Sequence, residues 1–452
     1  MKKQLQIFFD FLRFCIGSDS EISSSLKEVD WKELYAIAKK QCLVGVLFDG
    51  IKMLPAEHVG MEKELLLHWM AESQMLEMAN VRLNDAAIHV SEWFRKKGFR
   101  TCILKGQGNA LMYPNPYSRT PGDIDIWVEG GDKRVISFVR SISPHEKACY
   151  HHIEFPSYKG VEVEVHYRPS FLLCFWHNRK LQKYYERVKE EQFSHRVMLG
   201  KQGEIAIPTM EFNLIFQLTH IYAHLMNEGI GLRQLVDYYY VLCDFFKVYQ
   251  ISSNPSVSLS KGSSTFSPSP SSSGSGDVTA PSRCSELLRS KDGGPSKVSP
   301  NCAGWDRRDA IGDMTSATAS TSTDTSATAA RSSFAANSSA AIDRVQKELK
   351  ELGLWKFAGG IMYIMQEVFG MPASRLIVPP NEKYGRFVLN EVLEAGNFGR
   401  HDARNRFGRS QLEHNLQRVY RDIRLVRYFP AEALCEPLFR TWHFFWRLKY
   451  KK

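Results

Sequence analysis

The chain has 452 residues, too many for one ordinary domain, and 43% hydrophobic with 12% aromatic side chains is enough to fill a sizeable core. Lys plus Arg number 59 against 49 Asp plus Glu, and the resulting +10 permits an anionic partner without requiring one. No apolar run reaches the length of a membrane span and the nine Cys form no CxxC pair, so the composition argues against an integral membrane protein or a disulfide framework and for a reducing cytoplasm.

The first residues, MKKQLQIFFDFLRFC, begin basic, but Gln4, Gln6, Asp10 and Arg13 interrupt any apolar core. They read as an amphipathic helix and not as a signal peptide. The helical pattern holds over 1–97. Trp31, Leu34, Ile37, Ala38 and Cys42 recur on one face, and Leu65–Phe94 is a long amphipathic run stopped by Lys97–Gly98. The period changes over 98–208. Arg100–Leu104 is a short apolar strand, Gly108–Tyr113 a short helical stretch, and Asp123–Val128 (DIDIWV) a half-buried strand. Asp132–Ser143 can form a helix. His151–Phe155 and Val161–Tyr167 (VEVEVHY) are strands joined by a turn at Ser157–Gly160, and Arg196–Leu199 with Glu204–Ile207 makes a small hairpin. Helices return over 209–251 and 341–452. Between them, 252–340 is a foreign insert: Ser and Thr supply 34 of its 89 residues and only Phe266, Trp305 and Phe334 are aromatic. Such a stretch buries too little apolar surface to offset chain entropy and is expected to be disordered.

The chemistry concentrates between Cys102 and Arg168. Asp123 and Asp125 lie two apart on a strand, so both carboxylates share a face, and Glu162 and Glu164 do the same on VEVEVHY. Clustered carboxylates repel one another, and a hard divalent cation such as Mg²⁺ removes that cost while taking phosphate oxygens. A solvated strand face explains either pair taken alone. Lys105–Gly106 at the end of the first strand adds a cation and a close backbone approach, and the helical start behind it favours an anion.

Together, ILKGQGNALMYPNPYSRTPGDIDIWV and VEVEVHYRP resemble the nucleotidyltransferase superfamily of the DNA polymerase β type, in its bacterial branch of uncharacterised nucleotidyltransferases. The matching positions are Lys105, Gly106, Tyr113, Pro114, Arg119, Asp123, Asp125, Glu164 and His166. Trp31–Leu47, the stretch holding His220, His224, Arg233 and Asp237, and GNFGRHD at Gly396–Asp402 are more weakly similar. The resemblance implies an α+β fold: a small mixed β-sheet nucleotidyltransferase core flanked by amino- and carboxy-terminal helical regions. It implies Mg²⁺ (or Mn²⁺) on Asp123, Asp125 and Glu164, and a nucleoside triphosphate, with ATP the expected donor, on Lys105, Gly106 and Arg119. The activity implied is transfer of a nucleoside monophosphate to an acceptor hydroxyl, with pyrophosphate leaving. Sugar, protein, small molecule and RNA remain open as acceptors. The chain departs from the superfamily pattern in three ways. Gln107 replaces a Ser after the Gly, a Pro-bearing loop (Tyr113–Gly122) lengthens the approach to Asp123, and the third acid is Glu, with Glu162 a rival for its role. Gln107 lends weight to an alternative, an inert nucleotidyltransferase-fold adaptor that binds nucleotide or an anionic partner.

Other features read more plainly. His220 and His224 have zinc-compatible spacing but lack the adjacent Glu of H-E-x-x-H, so a packed or hydrogen-bonded pair is expected. Arg233 and Asp237 are spaced for a helix ion pair. Arg418, Arg421, Arg424 and Arg427 form a basic stripe, either a solvated face or a docking face for an anion. Trp442, Phe444, Phe445 and Trp446 before a basic tail fit a core helix or an anchor at a membrane surface.

Overall fold

A computed structural model describes residues 3–200, 203–251, 339–402, 404 and 411–450. The Ser/Thr-rich stretch lies outside the described residues up to 338, and its last two residues are helical together with 341–351. Four amino-terminal helices come first: α1 (Lys3–Ile16), α2 (Trp31–Lys40), α3 (Val44–Met53) and α4 (Lys63–Lys96). Asp30 starts α2 by accepting from the backbone N–H groups of Lys32 and Glu33, which satisfies two donors left open at a helix start.

The sheet follows, with β1 (Thr101–Leu104), β2 (Ile124–Val128), β3 (His152–Tyr158) and β4 (Val161–His166). The helices α5 (Gly106–Ala110) and α6 (Gly131–Ile142) intervene. Strand order is β1-β2-β4-β3. The two outer pairings are antiparallel, and β2 runs parallel to β4 with Asp125 beside Glu164 and Trp127 beside His166. This is the expected α+β fold, a small mixed sheet with helical flanks.

Alternation gives the sheet two different faces. Ile103, Ile124, Ile126, Val128, Val163 and Val165 bury one face in a core with Ala86, Val90 and Phe94 of α4 and Val135 and Val139 of α6. Each such aliphatic side chain contributes about 1.5–3 kcal/mol by leaving water. On the other face Cys102, Leu104 and Trp127 join a second, larger core. Trp127 packs there with ring centroids 4.7 Å from Phe193 and 5.9 Å from Phe212. The remainder of this second face carries the polar side chains of β2, β3 and β4.

The helix α7 (Phe175–Ser194) lies within the 98–208 region and is not anticipated by the sequence reading. Its buried side, Leu181, Tyr184, Tyr185 and Phe193, is sparse among charged residues, so the apolar period is weak. Glu432 of the carboxy-terminal helix Pro430–Lys449 holds the turn before it, accepting from Leu173 N at 2.6 Å and Cys174 N at 2.9 Å. A hairpin, β5 (Arg196–Leu199) and β6 (Gly203–Ala206), leads to α8 (Met210–Asn227) and α9 (Leu232–Ile251). Later helices occupy Trp355–Glu367, Glu382–Ala395, Gln411–Val426 and Pro430–Lys449. Among the described residues no helix is long and apolar enough to cross a membrane.

Candidate active site

The parallel pairing of β2 with β4 sets Asp125 against Glu164, and Asp123 stands just before β2. One ligand oxygen from each of Asp123, Asp125 and Glu164 lies within 4.8 Å of the other two. Glu162, its side chain exposed, is not in that cluster. Asp125 is 2% exposed. A carboxylate buried that deeply beside two others needs cations close by.

The chain supplies two. Lys105 Nζ is 3.0 Å from Asp125 Oδ2, and His166 Nε2 is 2.9 Å from Asp125 Oδ1 and 3.4 Å from Glu164 Oε2. Burial alone would raise the Asp125 carboxyl, but Lys105 and His166 outweigh it and hold the group below its ordinary value. Burial lowers His166, yet its bonds to Asp125 and Glu164 push it up to about 9. The Lys105 ammonium is likewise disfavoured by burial and rescued by Asp125 and Asp123, so it stays charged. His152, beside Glu164 at 3.1 Å, goes the other way. Burial and the nearby His166 bring it down to about 4.

One oxygen in this cluster rests on a single ion pair. Asp125 Oδ2 is buried and accepts no hydrogen bond. Its one close partner is the Lys105 ammonium, an ion pair at 3.0 Å. A lone pair left over at the meeting point of three carboxylates is what a hard divalent cation takes up, so the donor set fits Mg²⁺ or Mn²⁺.

Lys105 reaches this position through a strained backbone. Its φ is +44° and its ψ −138°, a region sparsely populated by side-chain-bearing residues, and Gly106 follows at φ +46°. A Cβ on Gly106 would meet nothing nearer than Asp123 O at 3.9 Å, so the φ and not the space calls for glycine. The helix behind it, α5, has only five residues. Its dipole is correspondingly weak, and the Lys105 ammonium carries most of the positive charge at this end.

Gln107, where the superfamily pattern has Ser, turns away from the cluster. Its Nε2 donates to Asn84 Oδ1 on α4. The longer loop Tyr113–Gly122 is bolted down on three sides. Asn80 Nδ2 donates to Tyr117 O and Arg119 O at 2.8 Å, Thr120 Oγ1 to Cys42 O at 2.7 Å, and Asn115 Nδ2 to Asp49 Oδ2 at 3.0 Å.

Arg119, expected on the triphosphate, is placed elsewhere. It is 3% exposed and makes a two-point ion pair with Asp237, Nε to Oδ1 and Nη2 to Oδ2, both at 2.8 Å. Tyr113 Oη donates to the same carboxylate at 2.6 Å. Arg119 therefore fixes the loop that delivers Asp123 and has no guanidinium edge left for phosphates. The expected Arg233–Asp237 helix pair does not form either, because Arg119 occupies the carboxylate. Arg233 instead packs against the backbone of the loop that precedes Asp123. Its Nη1 donates to Thr120 O at 3.1 Å and lies 3.8 Å from where a Cβ on Gly122, next to Asp123, would be, while its Nε is buried without a partner. The sequence reading named Arg233 only as the helix partner of Asp237. The one available signal was its place beside Asp237 in the weakly similar stretch.

His220 Nε2 lies 3.2 Å from Lys105 Nζ, and its ring packs on His224 at 4.4 Å. Burial and the Lys105 charge keep His220 neutral. The pair joins no group of metal-capable ligands among the described residues. Phe398, at φ +52°, sits between the rings of this region, 5.0 Å from His224 and 5.7 Å from the Arg233 guanidinium. The basic stripe splits up. Arg421 is buried, Arg424 bonds Glu391 at 3.3 Å, and Arg418 and Arg427 remain exposed. Trp442 packs on Tyr150 at 5.4 Å and Trp446 on Tyr450 at 4.5 Å, whereas Phe444 and Phe445 are exposed.

No curated protein and no solved structure matches the chain. Residues 27–247 match the family described as uncharacterised nucleotidyltransferase. That region spans the amino-terminal helices from α2, the whole sheet with its carboxylate cluster, and nearly all of α9. The strand-borne acids and the Lys–Gly turn lie inside the matched span, so over residues 27–247 the chain is similar to the uncharacterised nucleotidyltransferase family.

Proposed function

We propose that the protein transfers a nucleoside monophosphate from a nucleoside triphosphate, with ATP the expected donor, to an acceptor hydroxyl. The observation that supports this most is the convergence of the buried Asp125 carboxylate with Asp123 and Glu164 beside the Lys105 ammonium. These three side chains would hold Mg²⁺ or Mn²⁺. The ion would supply charge neutralisation for the triphosphate and activation of the acceptor oxygen.

The chain's own groups do the remaining work. Lys105, charged and next to Gly106, binds a phosphate oxygen. Arg233, with its unbonded Nε, adds a second cation on the Asp123 side. Arg119 and Asp237 hold the Tyr113–Gly122 loop so that Asp123 is pre-positioned. The acceptor oxygen forms a bond to the α-phosphorus while the bond from that phosphorus to the bridging oxygen breaks. Pyrophosphate leaves, and the hydroxyl proton passes to a site carboxylate. Sugar, protein side chain, small molecule and RNA end are all chemically suitable acceptors. The exposed Arg418 and Arg427 offer a face for an anionic one.

A second reading rests on Gln107. With its side chain committed to Asn84, the phosphate-facing hydroxyl of the superfamily pattern is missing, as in an adaptor that binds nucleotide without turning it over. Incubation of the whole protein with Mg²⁺ and ATP labelled at the α- or γ-phosphate, in cell extract, separates the readings. Nucleotide transfer puts α-label on an acceptor and is lost in Asp123→Ala plus Asp125→Ala. Label from the γ-position alone would indicate phosphotransfer. Binding without any transfer would indicate the adaptor.

A further inference from the structure

We propose a second cation position beside the carboxylate one, made by His152 Nδ1, Glu164 Oε2 and His166 Nε2 and suited to Zn²⁺. It shares Glu164 with the proposed transferase centre, so it rests in part on that reading.

The sheet builds this position. His152 and His166 are directly opposite across β3 and β4, and Glu164 is two residues before His166, so all three side chains leave the same face. His152 Nδ1 is 3.1 Å from Glu164 Oε2, and His166 Nε2 is 3.4 Å from the same oxygen. With metal–ligand bonds of about 2.0–2.1 Å, neighbouring donors around a tetrahedral ion stand about 3.3–3.4 Å apart. The three donors already form one set compatible with a single ion.

A second observation suits a ligand tautomer. His166 Nδ1 lies 3.3 Å from Arg168 O. A ring nitrogen that donates to a backbone carbonyl leaves the other nitrogen as the ligand, which is how metal-bound histidines are commonly oriented. Without the ion, His166 Nε2 carries a proton shared with Asp125 and Glu164; the ion takes that proton's place, and Asp125 Oδ1, 2.9 Å from Nε2, stands where a fourth donor can come in.

The donor type separates the two positions. Asp123, Asp125 and Glu164 offer oxygen only, the choice of Mg²⁺. Two imidazoles with one carboxylate favour Zn²⁺ and its borderline relatives. Glu164 then links a hard position to a softer one, a mixed pair that an all-carboxylate centre would not give.

The test uses the full chain, stripped with a chelator and reloaded with Co²⁺ as a spectroscopic stand-in for Zn²⁺. Metal content is counted by atomic absorption with excess Mg²⁺ present. One equivalent of Co²⁺ is expected, with visible bands typical of nitrogen and oxygen donors, displaced by Zn²⁺. His152→Ala is expected to weaken Zn²⁺ binding at least tenfold, and His166→Gln to do the same. Asp123→Ala keeps the Co²⁺ bands while losing Mg²⁺-dependent ATP binding. That split distinguishes failure of this proposal from failure of the transferase reading. Circular dichroism melts confirm that each variant is folded, and His152→Ala, at a half-buried position, is the safer of the two histidine variants. Absence of Co²⁺ binding, or full Zn²⁺ affinity in folded His152→Ala, overturns the proposal. So does a thiolate charge-transfer band lost in Cys149→Ser, which would move the ion to the neighbouring Cys149, His151 and His152 group.

Discussion

Two aspartates of this protein are buried to a similar depth and surrounded differently. Asp237 on α9 is 4% exposed and Asp125 on β2 is 2% exposed. Asp237 has both oxygens bonded, by a two-point Arg119 pair and the Tyr113 hydroxyl. Asp125 has one oxygen on His166 and one facing only the Lys105 ammonium, in an acidic cluster with Asp123 and Glu164. A complete shell makes a clamp, whereas an incomplete one at the centre of an acidic cluster makes a site. The loop Tyr113–Gly122 connects the two, so that the clamp holds what the site needs.

The contrast can be broken from either side. The largest effect belongs to the site. Asp125→Asn should reduce α-label transfer by about 10³-fold or more, while its melting temperature moves less than that of the clamp variant, because Asp123 and Glu164 still face Lys105 and His166. The clamp comes next. Asp237→Asn leaves the Arg119 charge buried without its partner and should cost about 3–5 kcal/mol of stability, read by denaturant unfolding. Equal losses of stability in the two variants would erase the distinction.

The clamp also has a pH signature. Burial would raise Asp237, but Arg119 outweighs it and holds the carboxyl below its ordinary value. A group depressed in the folded state adds stability above its unfolded pKa, about 3.9 for Asp. That stability disappears as pH falls through the lower folded value. The gap in stability between the native chain and Asp237→Asn should therefore be full near neutrality and shrink below about pH 4. A constant gap would contradict the ion-pair account.

Smaller effects sharpen the roles of single groups. Arg233→Met should raise the apparent KM for the triphosphate by about tenfold, the scale of one charge-assisted contact of about 1.4 kcal/mol, with little change in unfolding midpoint. Gln107→Ala should lower stability by about 1 kcal/mol through its lost bond to Asn84 and leave transfer nearly as it was. A large loss of transfer in Gln107→Ala would return that side chain to the phosphates.

Local pattern made the strands legible. DIDIWV and VEVEVHY alternate with period two, and β2 and β4 occupy Ile124–Val128 and Val161–His166. The same alternation puts both Glu162 and Glu164 on one face, so it could not choose between them. Only the parallel register, with Asp125 beside Glu164, separates the two. Arg119 and Asp237 are 118 residues apart, and no local spacing announces such a pair. Sequence reasoning therefore gave Arg119 to the triphosphate and paired Asp237 with its helix neighbour Arg233. The opposition of His152 to His166 is likewise a fact of strand register, not of either strand's composition. The helix α7 escaped notice because its charged residues dilute the apolar spacing of Leu181, Tyr184 and Tyr185.

The most direct test of the carboxylate cluster is Mn²⁺ binding followed by electron paramagnetic resonance, with and without ATP, in the native chain and in Asp125→Asn. If Asp123, Asp125 and Glu164 form a nucleotide-dependent metal centre, ATP tightens Mn²⁺ binding to the native chain and Asp125→Asn abolishes that gain. Mn²⁺ binding that ignores both ATP and the substitution would contradict it.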